Sequence, residues 1–196
     1  MTSPSEYNII LTDGSYYNDK WGASAVLFSS NTEILDVFNL GGYINVYKLN
    51  QVYYIMFAEL MGIYCAVRVL CNNHMHFNKT CVIITDNKQV FDMLHYDDYD
   101  SSRFNGIFNV VLYKLLMTMV TVKLQVKIVF KHKINDEVLC HVLRATKSPK
   151  LLQYIKSHEW PPHGYATYAR KNCNYSMYNV MEFNDVYKYN ISKNTF

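Results

Sequence analysis

Three carboxylates in this chain stand where an ionised oxygen is costly to keep. Glu59 lies within an apolar stretch, flanked by Phe57, Ala58, Leu60 and Met61, and a lone desolvated carboxylate there would cost several kcal/mol. Asp13 ends the run Tyr7-Asn8-Ile9-Ile10-Leu11-Thr12-Asp13, and Asp86 ends Val82-Ile83-Ile84-Thr85-Asp86, so two runs of one type close in the same Thr-Asp pair. Short apolar runs of this kind are buried strands, and the carboxyl ends of strands are where open α/β sheets place their ligand sites. If the two strands are neighbours, the aspartates emerge side by side and repel. A divalent cation held between them relieves the repulsion, and Mg²⁺ takes carboxylate oxygens together with water and substrate phosphate. Standing alone, Asp13 before Gly14 is also an ordinary turn former and Asp86 before Asn87 an ordinary helix cap. Glu59 resists any such reading.

The elements that must position these groups follow from the same pattern. The first strand closes in a turn at Gly14-Ser15. Gly22 to Ser29 and Glu33 to Gly41 follow as antiparallel strands joined by the polar turn Ser29-Ser30-Asn31-Thr32, which completes a meander. Gln51 to Leu70 contains no proline and carries apolar residues on nearly every side, which predicts a helix buried over much of its circumference. Lys79 to Asp86 is a second buried strand, Lys88 to Leu94 a short helix, Ser101 to Met119 a longer one, and Val120 to Lys131 an alternating strand. Asn135 to Lys147 closes the domain as a helix capped by Asn135 or Asp136, with Pro149 as its stop signal. The order predicts a mixed α/β domain over residues 1–149, its middle strands set between covering helices. Residues 150–196, with Trp160-Pro161-Pro162, scattered tyrosines and many asparagines, are expected to form a loop-rich C-terminal extension.

Composition narrows the class. A chain of 196 residues with 50% hydrophobic and 18% charged residues builds a core and is not disordered. Its most apolar stretch, Val110 to Val126, contains Lys114 and Lys123, which argues against a membrane span. The first residues, Met1-Thr2-Ser3-Pro4-Ser5-Glu6, carry neither a basic nor an apolar segment, so the expectation is an intracellular, free-standing protein, nuclear or cytoplasmic and not secreted. The five cysteines include no Cys-x-x-Cys pair and suit reduced thiols. His74 and His76 lack a carboxylate or cysteine at ligand spacing. Of the net charge of +3, residues 1–149 contribute nothing, with 13 Lys/Arg and 13 Asp/Glu, and the excess lies in the last quarter.

Thr12-Asp13-Gly14-Ser15, then Ala58-Glu59-Leu60-Met61-Gly62-Ile63-Tyr64-Cys65-Ala66, then Thr85-Asp86-Asn87-Lys88-Gln89-Val90 resemble ribonuclease H of type 1, in the form found beside the reverse transcriptases of non-LTR retrotransposons. The resemblance spans about residues 7–147. It implies a mixed five-stranded sheet with helices on both faces, and a metal-dependent endonuclease that hydrolyses the RNA strand of RNA/DNA hybrids. Two ions, Mg²⁺ or Mn²⁺, would be held by Asp13, Glu59 and Asp86, with Gly14, Ser15, Asn87 and Lys88 facing the substrate. Phe130-Lys131-His132-Lys133-Ile134-Asn135 resembles the family's histidine loop in shortened form, which makes His132 the proton carrier that helps product leave.

The family's fourth metal ligand, an aspartate on the final helix, has no counterpart at the expected place. Alignment on Leu143 puts His141 there, and counting from Asn135 puts Leu139 there, while Asp136 or Glu137 could substitute from the preceding turn. A histidine ligand would favour Mn²⁺ over Mg²⁺. Two other functions remain open: a module that keeps the fold without turnover and binds nucleic acid or protein, and an exonuclease, resolvase or transposase on the same fold. A protein partner would dock through the C-terminal extension. The abundance of Asn, Tyr, Ile and Lys suits an AT-rich viral or mobile-element genome.

Overall fold

In the computed structural model, residues 7–28, 33–43, 51–72, 80–95, 126–133, 135–146 and 149–173 are described. Strands β1 (Asn8–Tyr17) and β2 (Lys20–Phe28) form a hairpin whose tip, Asn18-Asp19, holds φ angles of 47° and 58°. Two successive positive φ values make the two-residue turn whose twist matches that of paired strands, and Asn and Asp tolerate it. The turn expected at Gly14-Ser15 is therefore corrected: β1 runs through it, with Gly14 paired to Ala23 and Ser15 to Gly22. β3 (Ile34–Tyr43) completes the meander, with a register irregularity at Leu27/Phe28.

Helix α1 (Gln51–Asn72) crosses back, and β4 (Cys81–Thr85) then lies parallel to β1 in a register that sets Thr12 opposite Thr85. Asp13 and Asp86 each follow one residue later, so the adjacency on which the carboxylate reading depends holds. After α2 (Lys88–His95), β5 (Val126–Phe130) pairs parallel with β4 and completes a five-stranded sheet of order β3-β2-β1-β4-β5. The expected start of β5 at Val120, the helix Ser101 to Met119, the turn Ser29 to Thr32 and the His74/His76 pair lie outside the described residues.

Alternation along the strands divides the core into two layers. Ile10, Leu27 and Ile83 face α1 and α2, whereas Ile9, Leu11, Val26, Val82 and Ile84 pack with Leu139, Val142, Leu151, Ile155 and Trp160. The second layer comes from α3 (Glu137–Thr146), α4 (Pro149–Lys156) and the approach to α5 (Pro161–Lys171). Helices thus cover both faces, as expected. Residues 149–173 are not the loop-rich extension read from sequence: Pro149 opens a helix, Pro161 and Pro162 open another, and α5 lies on β1, β2 and β3. Proline lacks the N–H that a first helical turn leaves unused, so it starts helices as readily as it stops them.

Three contacts seat α5. A Cβ on Gly22 would lie 2.1 Å from the Ala166 carbonyl oxygen, so only glycine lets the helix approach β2 this closely. Ser24 Oγ donates to the Pro162 carbonyl at 2.6 Å, and Trp160 Nε1 donates to the Thr12 carbonyl at 2.8 Å. Trp160→Phe removes this buried donor and is expected to cost ~1–3 kcal/mol, checked by denaturant unfolding.

Candidate active site

Asp13 reaches the site from β1, Glu59 from α1 and Asp86 from the residue that follows β4, and their ligand oxygens lie within 4.8 Å of one another. Asp13 and Glu59 are buried and Asp86 partly so. The approach of α1 is set by Gly14, where a Cβ would stand 2.2 Å from the Glu59 backbone nitrogen. Burial, then the charge of Asp86, pushes the Asp13 carboxyl up to about 7, against a smaller lowering by His163. Burial and the charges of Asp13 and Asp86 hold Glu59 well above its ordinary range. Asp86 is raised by burial and pulled back chiefly by Lys131. Glu59 Oε2 and Asp86 Oδ1 are buried without a hydrogen-bond partner among the described residues. Desolvated, mutually repelling oxygens with unmet bonding capacity are the donor set that a hard divalent cation satisfies, and the three residues fit one.

Two basic side chains, Lys131 and His163, stand beside these oxygens. Lys131 is buried, donates from Nζ to the Ser157 carbonyl at 3.1 Å and lies 4.3 Å from the Trp160 ring centroid. Burial lowers its pKa, while Asp86 and Asp13 oppose that change. His163, in the first turn of α5, places Nδ1 3.0 Å from Asp13 Oδ2. Neither residue was among the candidates read from sequence. The Trp160-Pro161-Pro162 start of α5 was the available signal for His163, since proline at the first helical positions marks a helix N-terminus.

The remaining candidates occupy different places. Asn87 caps α2, its Oδ1 accepting from the Val90 N–H at 3.0 Å, and Lys88 pairs with Asp92. His132 is exposed two residues beyond β5, edge-on to Phe130, and its charge acts on Asp86. His141 does not join the carboxylates: it is exposed on α3 and meets Tyr7 edge-on, with ring centroids 5.6 Å apart. Tyr7 precedes β1 and Asp13 follows six residues on, a separation of about 20 Å along an extended strand. Leu139 is core, and Asp136 caps α3 by accepting from the Val138 and Leu139 N–H groups. Both alignments placed the closing helix at α3, whereas the helix that reaches Asp13 is α5. An open groove lined by Val37, Asn39, Gly164, Tyr165 and Tyr168 lies against α5 and contains none of the carboxylates.

The sheet order and helix layers match those of LC11 ribonuclease H1, solved in complex with an RNA/DNA hybrid, at a TM-score of 0.50 and 10% identity over 67% of this chain and 89% of that one. The fold is that of ribonuclease H. The prototype foamy virus protease-reverse transcriptase shares it at a TM-score of 0.53 and 15% identity, covering 89% of this chain and 22% of that one. The foamy viral protease-reverse transcriptase in complex with an RNA/DNA hybrid gives a TM-score of 0.50 and 13% identity over 77% of this chain and 20% of that one. The chain thus spans about a fifth of the foamy viral proteins. No protein-family model matches the sequence, and no curated protein matches it. At these identities the ribonuclease H likeness is one of fold, and the chemistry rests on the residues at the site. Among the described residues, no helix is long and apolar enough to cross a membrane.

Proposed function

We propose that this chain is a metal-dependent endonuclease that hydrolyses the RNA strand of RNA/DNA hybrids. The observation that carries the reading is the convergence of Asp13, Glu59 and Asp86, with ligand oxygens within 4.8 Å of one another, on a ribonuclease H fold. Solved proteins of this fold that hold RNA/DNA hybrids support the choice of substrate.

Asp13, Glu59 and Asp86 would be protein ligands of a pair of divalent ions, Mg²⁺ or Mn²⁺. Such ions supply Lewis acidity that stabilises charge on the phosphate and on the departing 3′ oxygen. Asp13 would be the central ligand of the set, because it stands beside Glu59, Asp86 and His163 at once. Lys131 supplies fixed positive charge from the protein side and limits the repulsion within the trio. Asn87 or Lys88, at the start of α2, would reach a nearby phosphate or base edge, while Gly14 and Ser15 would offer backbone and hydroxyl groups to the RNA. His132 carries a proton as product leaves, a task that suits an exposed imidazole near a carboxylate. A hybrid is recognised by its shape and its 2′-hydroxyls, so no base-reading helix is required.

The test is incubation of end-labelled RNA/DNA hybrid with purified protein in Mg²⁺ and, separately, in Mn²⁺. Internal cutting of the RNA strand is expected, with the same RNA left intact as a single strand. Folded protein that cuts in neither metal would remove the nuclease reading and leave a binding module on this fold.

A further inference from the structure

We infer that His163 is a nitrogen ligand of the second ion, and that its imidazole makes the site select Mn²⁺ over Mg²⁺. The inference rests on the metal-dependent reading above and deepens it.

Three carboxylates alone leave the second ion of the pair with few protein ligands. His163 stands beside it on Asp13 Oδ2, with Nδ1 at 3.0 Å. Two neighbouring ligand atoms on one octahedral ion, with bonds near 2.1 Å, are separated by about 3.0 Å, so the observed pair already has the spacing of ligands that share an ion. Its placement is built into the fold. The imidazole itself is 68% exposed, but the helix that carries it is seated by the Gly22 approach, the Ser24–Pro162 hydrogen bond and the Trp160–Thr12 hydrogen bond.

A second observation points to a cation at this cluster: Glu59 Oε2 and Asp86 Oδ1 are buried and unpartnered, so the carboxylates grouped with Asp13, the partner of His163, have bonding capacity that the described residues do not meet. Asp13 bridges the two halves of the site, with Glu59 and Asp86 on one and His163 on the other. Mg²⁺ takes oxygen ligands almost exclusively, whereas first-row transition ions also take imidazole, and Mn²⁺ among them accepts carboxylates readily. A site of three carboxylates and one imidazole therefore discriminates against Mg²⁺ at the half that contains the nitrogen.

The test is Mn²⁺ titration of the full chain followed by electron paramagnetic resonance, with electron spin-echo modulation to detect ¹⁴N coupled to the bound ion. The parent is expected to bind two Mn²⁺ and to show ¹⁴N modulation. In His163→Ala the modulation disappears and the weaker ion binds ~10–100-fold less tightly. In His163→Asp both ions bind without ¹⁴N modulation, and the Mn²⁺/Mg²⁺ affinity ratio falls at least ~10-fold. Two bound ions without ¹⁴N coupling in the parent, or coupling that survives in His163→Ala, overturn the inference and leave the nuclease reading intact. A parent that binds no Mn²⁺ overturns both.

Discussion

Asp13→Asn is expected to lower hybrid cleavage by a factor on the order of 10³ or more while making the metal-free protein more stable above neutral pH. The two effects have one cause. Asp13 is the carboxylate shared by the trio and His163, so its loss removes charge from both halves of the site. The same charge works against the fold when no cation offsets it. The Asp13 carboxyl titrates near 7 in the folded protein against 3.8 as its ordinary value. Between those values the folded state holds a proton that the unfolded state has released, so stability falls as pH rises through this window. Above about pH 7 the whole penalty is present, at most on the order of 4 kcal/mol, since each pH unit is worth about 1.4 kcal/mol. Glu59 and Asp86 are raised in the same direction and add to the slope. Thermal melts in chelator from pH 5 to 8 should therefore show the parent losing Tm with rising pH, and Asp13→Asn losing less and melting higher at pH 8. Mn²⁺ should raise the Tm of the parent and leave that of the variant nearly unchanged. A parent Tm that is flat over this range would remove the electrostatic argument, and undiminished cutting by the variant would remove the active-site assignment.

Gly14→Ala is the second large effect, and it acts through shape alone. The added Cβ would fall 2.2 Å from the Glu59 nitrogen and 2.3 Å from the Ala58 carbonyl carbon. Both are main-chain atoms of a buried helix, so no side chain can swing aside, and β1 and α1 must separate. Loss of close packing along that interface is expected to cost about 3–5 kcal/mol, in the range of severe core disruptions. Separation also carries Glu59 away from Asp13, so metal binding should weaken even in protein that remains folded. Urea unfolding measures the first consequence and Mn²⁺ titration the second. A variant with parental stability and parental Mn²⁺ affinity would show that the approach of the helix is not what positions Glu59.

These two residues mark how far local sequence reaches. Asp13-Gly14 was legible as a candidate site because Thr-Asp recurs at the end of a second apolar run, and as a turn because Asp-Gly is turn chemistry; the structure sets Asp13 beside Glu59 and Asp86 and runs β1 through Gly14 without a turn. The local code for a turn and the steric demand of a helix crossing a strand call for the same glycine, and only the neighbour distinguishes them. The parallel pairing of β1 with β4 confirms what the matching Thr-Asp endings implied, since strands of like pattern buried on both faces belong in the middle of a sheet.

The chain by itself determined the strand and helix order from Tyr7 to Phe130 within the described residues, the three carboxylates, and the fact that Glu59 needs a partner. Periodicity and desolvation are properties of short segments, so short segments reveal them. Tertiary structure alone decided which helix closes the site. His141 and His163 are both helical histidines in the last third of the chain, and Trp160-Pro161-Pro162 marks a helix start beside His163 without saying which strands that helix meets. His163 reaches Asp13 because Gly22, Ser24 and Thr12, well over a hundred residues earlier, fix where its helix can lie. His141 meets Tyr7 because α3 covers the opposite end of the sheet. Contacts between residues so far apart in the chain depend on the whole packed sheet, and no local pattern encodes them.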